Sequence, residues 1–188
     1  MRRWFERRFS FEHLGAADFP FLVERLRGTP ARVEDKLRGL PRERLTRRDG
    51  EAWSIQEHVG HLADLDVLHD ARLDDYAAGA AVLRAADLQN RKTYEAAYNE
   101  RPLAEVALSF RRGRGRFVER LEAWDPQRLD RSAVHPRLRQ PMRLVDMLYF
   151  VAEHDDHHLA WTTALAAQTT ATVETDRPSA ACPRPRTD

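Results

Sequence analysis

Residues 144–165 run Leu144-Val145-Asp146-Met147-Leu148-Tyr149-Phe150-Val151-Ala152-Glu153-His154-Asp155-Asp156-His157-His158-Leu159-Ala160-Trp161-Thr162-Thr163-Ala164-Leu165. Within them Leu144, Met147, Val151, His154, His158, Trp161 and Leu165 follow one another in steps of 3, 4, 3, 4, 3 and 4. That alternation keeps one edge of an α-helix turned toward a neighbouring helix. Two of the seven positions hold histidine where leucine is the usual occupant. Residues four apart on a helix are offset by roughly 40° and one turn of rise, so His154 and His158 can aim at one point. His157 is rotated off this edge. Asp155 and Asp156 flank it, and either could accept a proton from the second ring nitrogen of a ligating histidine.

Three further stretches share the helical period. The first covers about Asp18 to Leu40, with Leu22, Leu26, Val33 and Leu37 near one face; Pro30 is expected to kink or interrupt it. The second begins at Ser54-Ile55-Gln56-Glu57, a capping box in which the serine oxygen and the glutamate satisfy orphan amides, and continues to about Ala78. His58 and His61 lie on one edge of it, three residues apart. The third opens at Pro102 and runs to about Trp124, where Asp125-Pro126 ends it. Pro141 is read as the opening of the fourth, which ends near Ala167. No strand pattern competes, so the sequence predicts an all-α chain folded as a four-helix bundle, with a long connection from Gly79 to Arg101 between helices two and three. That connection is expected to hold a short helical piece near Tyr94. Residues 1–17 read as an irregular leader whose aromatics pack on the bundle, which completes a unit over 1–168. Residues 169–188, rich in Thr, Ala, Pro and Arg, read as a disordered tail.

Composition narrows the function classes. A formal net charge of +1, with 31 basic residues (29 of them arginine) against 30 acidic ones, gives no general pull toward nucleic acid. The chain lacks an apolar run of the roughly 20 residues that a membrane span needs. Cys182 is the only cysteine and lies in the tail; without an internal disulfide the chain fits a reducing cytoplasm. Two histidine pairs on two amphipathic helices remain as the chemical signal. A set of three imidazoles would leave coordination positions open, as catalytic metal sites do. Asp64 and Asp66, about one turn along from His61, are candidates for a proton acceptor or for the layer behind the ligands. Arg111-Arg112-Gly113-Arg114-Gly115-Arg116 is the densest basic run, read as a solvated face or as an anchor for an anionic group.

Trp53-Ser54-Ile55-Gln56-Glu57-His58 with His61-Leu62-Ala63-Asp64, followed about 90 residues later by Glu153-His154-Asp155-Asp156-His157-His158, resembles the DinB family, the DinB/YfiT-like metalloenzymes. The leader from Arg3 to Phe11, the stretch Leu26 to Arg32 and His135-Pro136 are weaker matches, and together the resemblance spans about residues 3–167. It implies a four-helix bundle, often a homodimer, holding one divalent ion, zinc or nickel, on His61, His154 and His158. It also implies chemistry on a small thiol of the bacillithiol or mycothiol type, transferred to an electrophile. Relatives that resemble thiol-dependent isomerases or metal-dependent hydrolases supply the alternative activities. The rivals from other classes are a non-catalytic, stress-linked metal- or partner-binding bundle and an arginine-based nucleic-acid binder.

Overall fold

The computed structural model describes residues 2–168; the tail expected to be disordered, with Cys182, lies outside the described residues. Four long helices, α1 (Phe19–Leu37), α3 (Ile55–Ala78), α5 (Leu103–Glu122) and α6 (Leu144–Ala167), form the body. Two short ones, α2 (Arg42–Thr46) and α4 (Arg91–Glu95), lie in the connections. The expected piece near Tyr94 is α4.

Side-chain pairs give the helix directions. Arg25 meets Glu153 and Lys36 meets Thr163, so α1 and α6 run the same way. Arg114 meets Asp66 and Arg120 meets Asp74, so α3 and α5 also run together. By contrast, His58 meets His158 while Tyr76 meets the Met142 carbonyl, which makes α3 and α6 antiparallel. The helices therefore run up, down, down and up in chain order. The residues between α3 and α5 return along α3, and Tyr98 packs its ring on Gly60, where a Cβ would lie 2.3 Å from a ring carbon. Gly79 ends α3 at φ 68°, a conformation that favours glycine.

Two apolar clusters fill the bundle. One includes Leu26, Leu73, Phe117, Val151 and Ala152; the other includes Val33, Leu62, Phe110 and Leu159. Between them, one polar residue from each long helix forms a buried layer: Thr29, Asp66, Arg114 and Asp155. Arg114 is 1% exposed. Its guanidinium donates to Asp66 (Nη2 to Oδ1, 2.8 Å), to Asp155 (Nη2 to Oδ1, 3.0 Å) and to the Leu26 carbonyl (3.1 Å). Thr29 donates to Asp155 at 2.8 Å.

This layer explains why α1 continues through Pro30, so that of the expected kink or interruption the interruption does not occur. The helix is continuous through it. Proline lacks the N–H that would reach the carbonyl four residues back. That carbonyl belongs to Leu26, and Arg114 satisfies it instead.

The expectation of no strands also fails. Ser132–His135 and Gln140–Arg143 form an antiparallel hairpin, β1 and β2, before α6. Pro141 sits in β2 opposite Val134 and does not open the helix; with only two strands, its missing N–H breaks no interior ladder. The helix starts at Leu144, and Asp146 accepts from the Arg143 amide at 2.7 Å to cap it. Strands of four residues are too short for their alternation to register beside a helical period.

The leader places Trp4 and Phe9 on Phe150 at 5.1 and 5.0 Å between ring centroids, and Phe11 is buried. No helix among the described residues is long and apolar enough to cross a membrane.

Candidate metal centre

Because α3 and α6 are antiparallel, the first turns of α3 lie beside the second half of α6. His58, His61, His154 and His158 are all buried there, between 4% and 7% exposed. His61, His154 and His158 each offer a ring nitrogen, and these atoms lie within 4.8 Å of one another. The Nε2 atoms of His154 and His158 are 3.0 Å apart. The structure thus brings together the three histidines singled out in the sequence.

The residue behind His61 settles which of its ring nitrogens faces the centre. His61 Nδ1 lies 3.1 Å from the Thr93 hydroxyl oxygen, and that hydroxyl donates its proton to Asp64 Oδ2 at 3.0 Å. Thr93 must then accept from His61 Nδ1–H, which leaves the Nε2 lone pair of His61 for the cluster. Asp64 also accepts from the Tyr98 hydroxyl at 2.8 Å and lies 3.1 Å from the Lys92 ammonium. His158 Nδ1 is 2.8 Å from His58 Nδ1. If His158 presents Nε2 as a lone pair, its Nδ1–H donates to a neutral His58. His154 Nδ1 is buried with no partner among the described residues.

Burial pushes the His61 imidazole down to about 3 and His58 to about 4, and it holds His154 and His158 well below the usual histidine range. All four rings are neutral near neutral pH, the form in which imidazole binds a metal.

The other sequence candidates separate. Asp64 lies two hydrogen bonds behind His61, through Thr93. Asp66 belongs to the buried Arg114 layer. The flanking aspartates do not orient the ligands as expected: Asp155 is held by Thr29 and Arg114, and Asp156 by Arg25 and Arg32. His157 accepts from the Trp161 indole at 3.2 Å. The arginine run is not a uniform solvated face, since Arg114 is central to the core and Arg111 pairs with Glu34 at the surface.

The cluster lines a cavity of about 380 Å³. Trp53, Trp161, Trp4, Phe150, Leu65 and Leu68 supply much of its apolar wall, and Arg3, Arg72 and Arg137 its cationic part. Asp87 is the only carboxylate on the wall among the described residues; it accepts from the amides of Gln89 and Arg91. Sequence reasoning did not find Thr93, His135, Arg72 or Arg137. Thr93 comes from α4 and His135 from the hairpin, and neither stands at a spacing that links it to the histidine pairs.

A family model described as the DinB superfamily matches residues 25–162. No curated protein matches the chain. Among solved structures, YfiT from Bacillus subtilis superposes with a TM-score of 0.73 at 20% identity, over 85% of this chain and 92% of that one. YfiT is described as a probable metal-dependent hydrolase with an unusual four-helix bundle topology. At that identity the likeness shows a shared fold.

Proposed function

Since the chain belongs to the DinB superfamily and turns three neutral imidazoles toward one point of an apolar cavity, we propose that it is a divalent-metal-dependent enzyme. In this reading its ligands are His61, His154 and His158, and it activates a low-molecular-weight thiol of the bacillithiol or mycothiol type for transfer to an electrophile. The observation that carries the proposal is the convergence of one nitrogen from each of these residues within 4.8 Å.

The donor set fits such an ion. Three imidazoles suit zinc or nickel, and three ligands leave positions open. Neutral ligands leave a divalent ion its full charge, which supplies the Lewis acidity that lowers the pKa of a coordinated thiol or water. The remaining roles fall to the chain's own residues. Thr93 fixes the His61 tautomer, and Asp64 holds Thr93 in that role. Trp53 and Trp161 wall the histidines from bulk water.

The thiol reading is favoured by the state of the nearby carboxylates, none of which stands free as a general base among the described residues. Asp64, Asp155 and Glu57 are all engaged in hydrogen bonds, and Asp87 caps a loop. A thiol, whose acidity is far closer to neutrality than that of water, asks less of such a base. Hydrolysis is the second reading, motivated by the description of YfiT.

The test begins with elemental analysis of protein purified without a metal-affinity step. Wild type should carry one equivalent of metal and His154→Ala almost none; full retention by the variant refutes the ligand assignment. Loaded protein is then offered bacillithiol or mycothiol with monochlorobimane and, separately, a simple activated ester. Thiol conjugation above the metal-free control supports transfer, and ester cleavage alone replaces it with hydrolysis.

A further inference from the structure

Hydrogen-bond donors outnumber acceptors at the cationic part of the cavity. His135, on β1, accepts from the Leu138 amide at Nδ1 (3.2 Å). Its ring is neutral, because burial together with Arg72 and Arg137 pushes it down to about 3. A neutral imidazole that accepts at Nδ1 carries its proton on Nε2. Yet Nε2 stands 3.3 Å from Arg72 Nη1, which is also a donor. Two N–H groups therefore face each other without an acceptor between them.

Arg72 is 2% exposed. Its Nε and Nη2 donate to the Arg84 carbonyl at 3.1 and 3.0 Å, and it forms no ion pair among the described residues. Burial pushes its guanidinium down to about 10, so it remains charged at neutral pH. Arg137 adds a second cation without a carboxylate partner among the described residues. Its guanidinium packs over Trp4, Phe5 and Phe150 at 5.2–5.8 Å, and its Nη2 is buried with no hydrogen bond. Leaving such buried donors unpaired is costly, and an anion relieves the cost.

The geometry points to an anion subsite formed by Arg72, His135 and Arg137, which takes the carboxylate of an otherwise apolar substrate or co-substrate. Flat guanidinium donors match the two oxygens of a carboxylate, and the aromatic and leucine wall accepts the apolar body. Trp4 connects this subsite to the histidines: its ring is 4.9 Å from that of His154, and Arg137 lies 5.8 Å above it. A molecule anchored by its carboxylate would extend its other end toward the histidine cluster. This assignment rests on the cavity being the active site, while its test needs no metal.

Protein stripped with EDTA, at about pH 8 where the histidines are neutral, is titrated with straight-chain carboxylates from butanoate to decanoate. The matching primary amides and inorganic phosphate are titrated in parallel, with the fluorescence of the cavity tryptophans as readout. At least one acid should saturate and bind about tenfold or more tightly than its amide. Arg137→Gln should weaken that acid about tenfold and leave the amide unchanged, while unstripped Arg137→Gln keeps its full metal content. The proposal is overturned if no acid saturates, if amide matches acid, or if Arg137→Gln binds the acid as wild type does. Phosphate binding tighter than every carboxylate, with the same dependence on Arg137, overturns the carboxylate assignment. Wild type that carries no metal as purified, yet binds the acid with this dependence on Arg137, would instead strike the metal reading alone.

Discussion

Replacing Arg114 with methionine should destabilise the bundle more than any surface change, and the loss should shrink in acid. The guanidinium is the single cation between Asp66 and Asp155, with both carboxylates about 1% exposed or less. Burial opposes its charge, but the two carboxylates prevail and raise its pKa, so it is fully protonated. Methionine keeps much of the volume and removes every donor. Two carboxylates then face each other in the core, with only Thr29 left to donate to Asp155, and the Leu26 carbonyl opposite Pro30 loses its partner. Removing one partner from a buried charged set costs about 3–5 kcal/mol. For a domain of this size that amounts to a fall in Tm of about 6–20 °C. Unpaired carboxylates can stay buried only by taking up a proton, so their folded-state pKa would rise above the unfolded value. Stability linked to such a group is present at low pH and lost as pH rises. Urea denaturation of wild type and Arg114→Met at about pH 8 and about pH 5 should therefore show a smaller difference at the lower pH. Adding Asp66→Asn should restore part of the deficit. A difference below about 1 kcal/mol, or one that is equal at both pH values, would refute the assignment of Arg114 as the charge that makes this layer tolerable.

Thr93→Val removes the acceptor for His61 Nδ1–H and leaves Asp64 without its link to the ring; competition with a chromophoric chelator should show metal affinity falling about 10- to 100-fold. Gly60→Ala drives a Cβ into the Tyr98 ring, with ring carbons at 2.3–2.5 Å. It should cost about 1–3 kcal/mol by denaturant titration and also weaken metal binding, because a displaced Tyr98 releases Asp64. Metal-free protein should lose stability as pH falls below about 6.5, since unfolded histidines take up protons there while His61 and His58 resist until about 3 and about 4. Each contributes up to about 1.4 kcal/mol per pH unit; urea midpoints that stay flat from about pH 7 to pH 5 would contradict the buried, neutral state of these rings.

The four long helices and the two histidine pairs were legible because both rest on local spacing, while the choice of His61 over His58 came from the resemblance to the DinB family. The capping box at Ser54 and the heptad-like stripe of α6 announce their elements, and histidines standing in an apolar stripe must face the interior. What the sequence could not reveal depends on which helices touch. Arg114 reads as one arginine in a basic run, and only its depth between Asp66 and Asp155 separates it from Arg111, which pairs with Glu34 outside. Pro30 reads as a helix breaker, because the donor that satisfies the Leu26 carbonyl is 88 residues away in the chain. Thr93 reaches His61 from the connection that returns along α3, and His135 reaches the cavity from the hairpin before α6; no local period encodes either path.

The three histidine rings of the proposed centre are held by unequal means, and this bears on how it would work. His61 has a directional chain through Thr93 to a carboxylate, whereas His158 has only a neutral imidazole, His58, behind it. Among the described residues His154 has no hydrogen-bond partner at its outer nitrogen, and the Trp4 ring, edge-on at 4.9 Å, packs against it. A carboxylate behind a ligand raises its basicity and donation to the ion; a neutral or absent partner does not. In the proposed centre two of the three histidines would therefore leave the charge of a bound ion largely undiminished, the condition under which it would most strongly acidify whatever occupied its open positions. The leader, through Trp4, belongs to the same device: it sets the His154 ring by packing alone and also bears the Arg137 cation on the face of its indole.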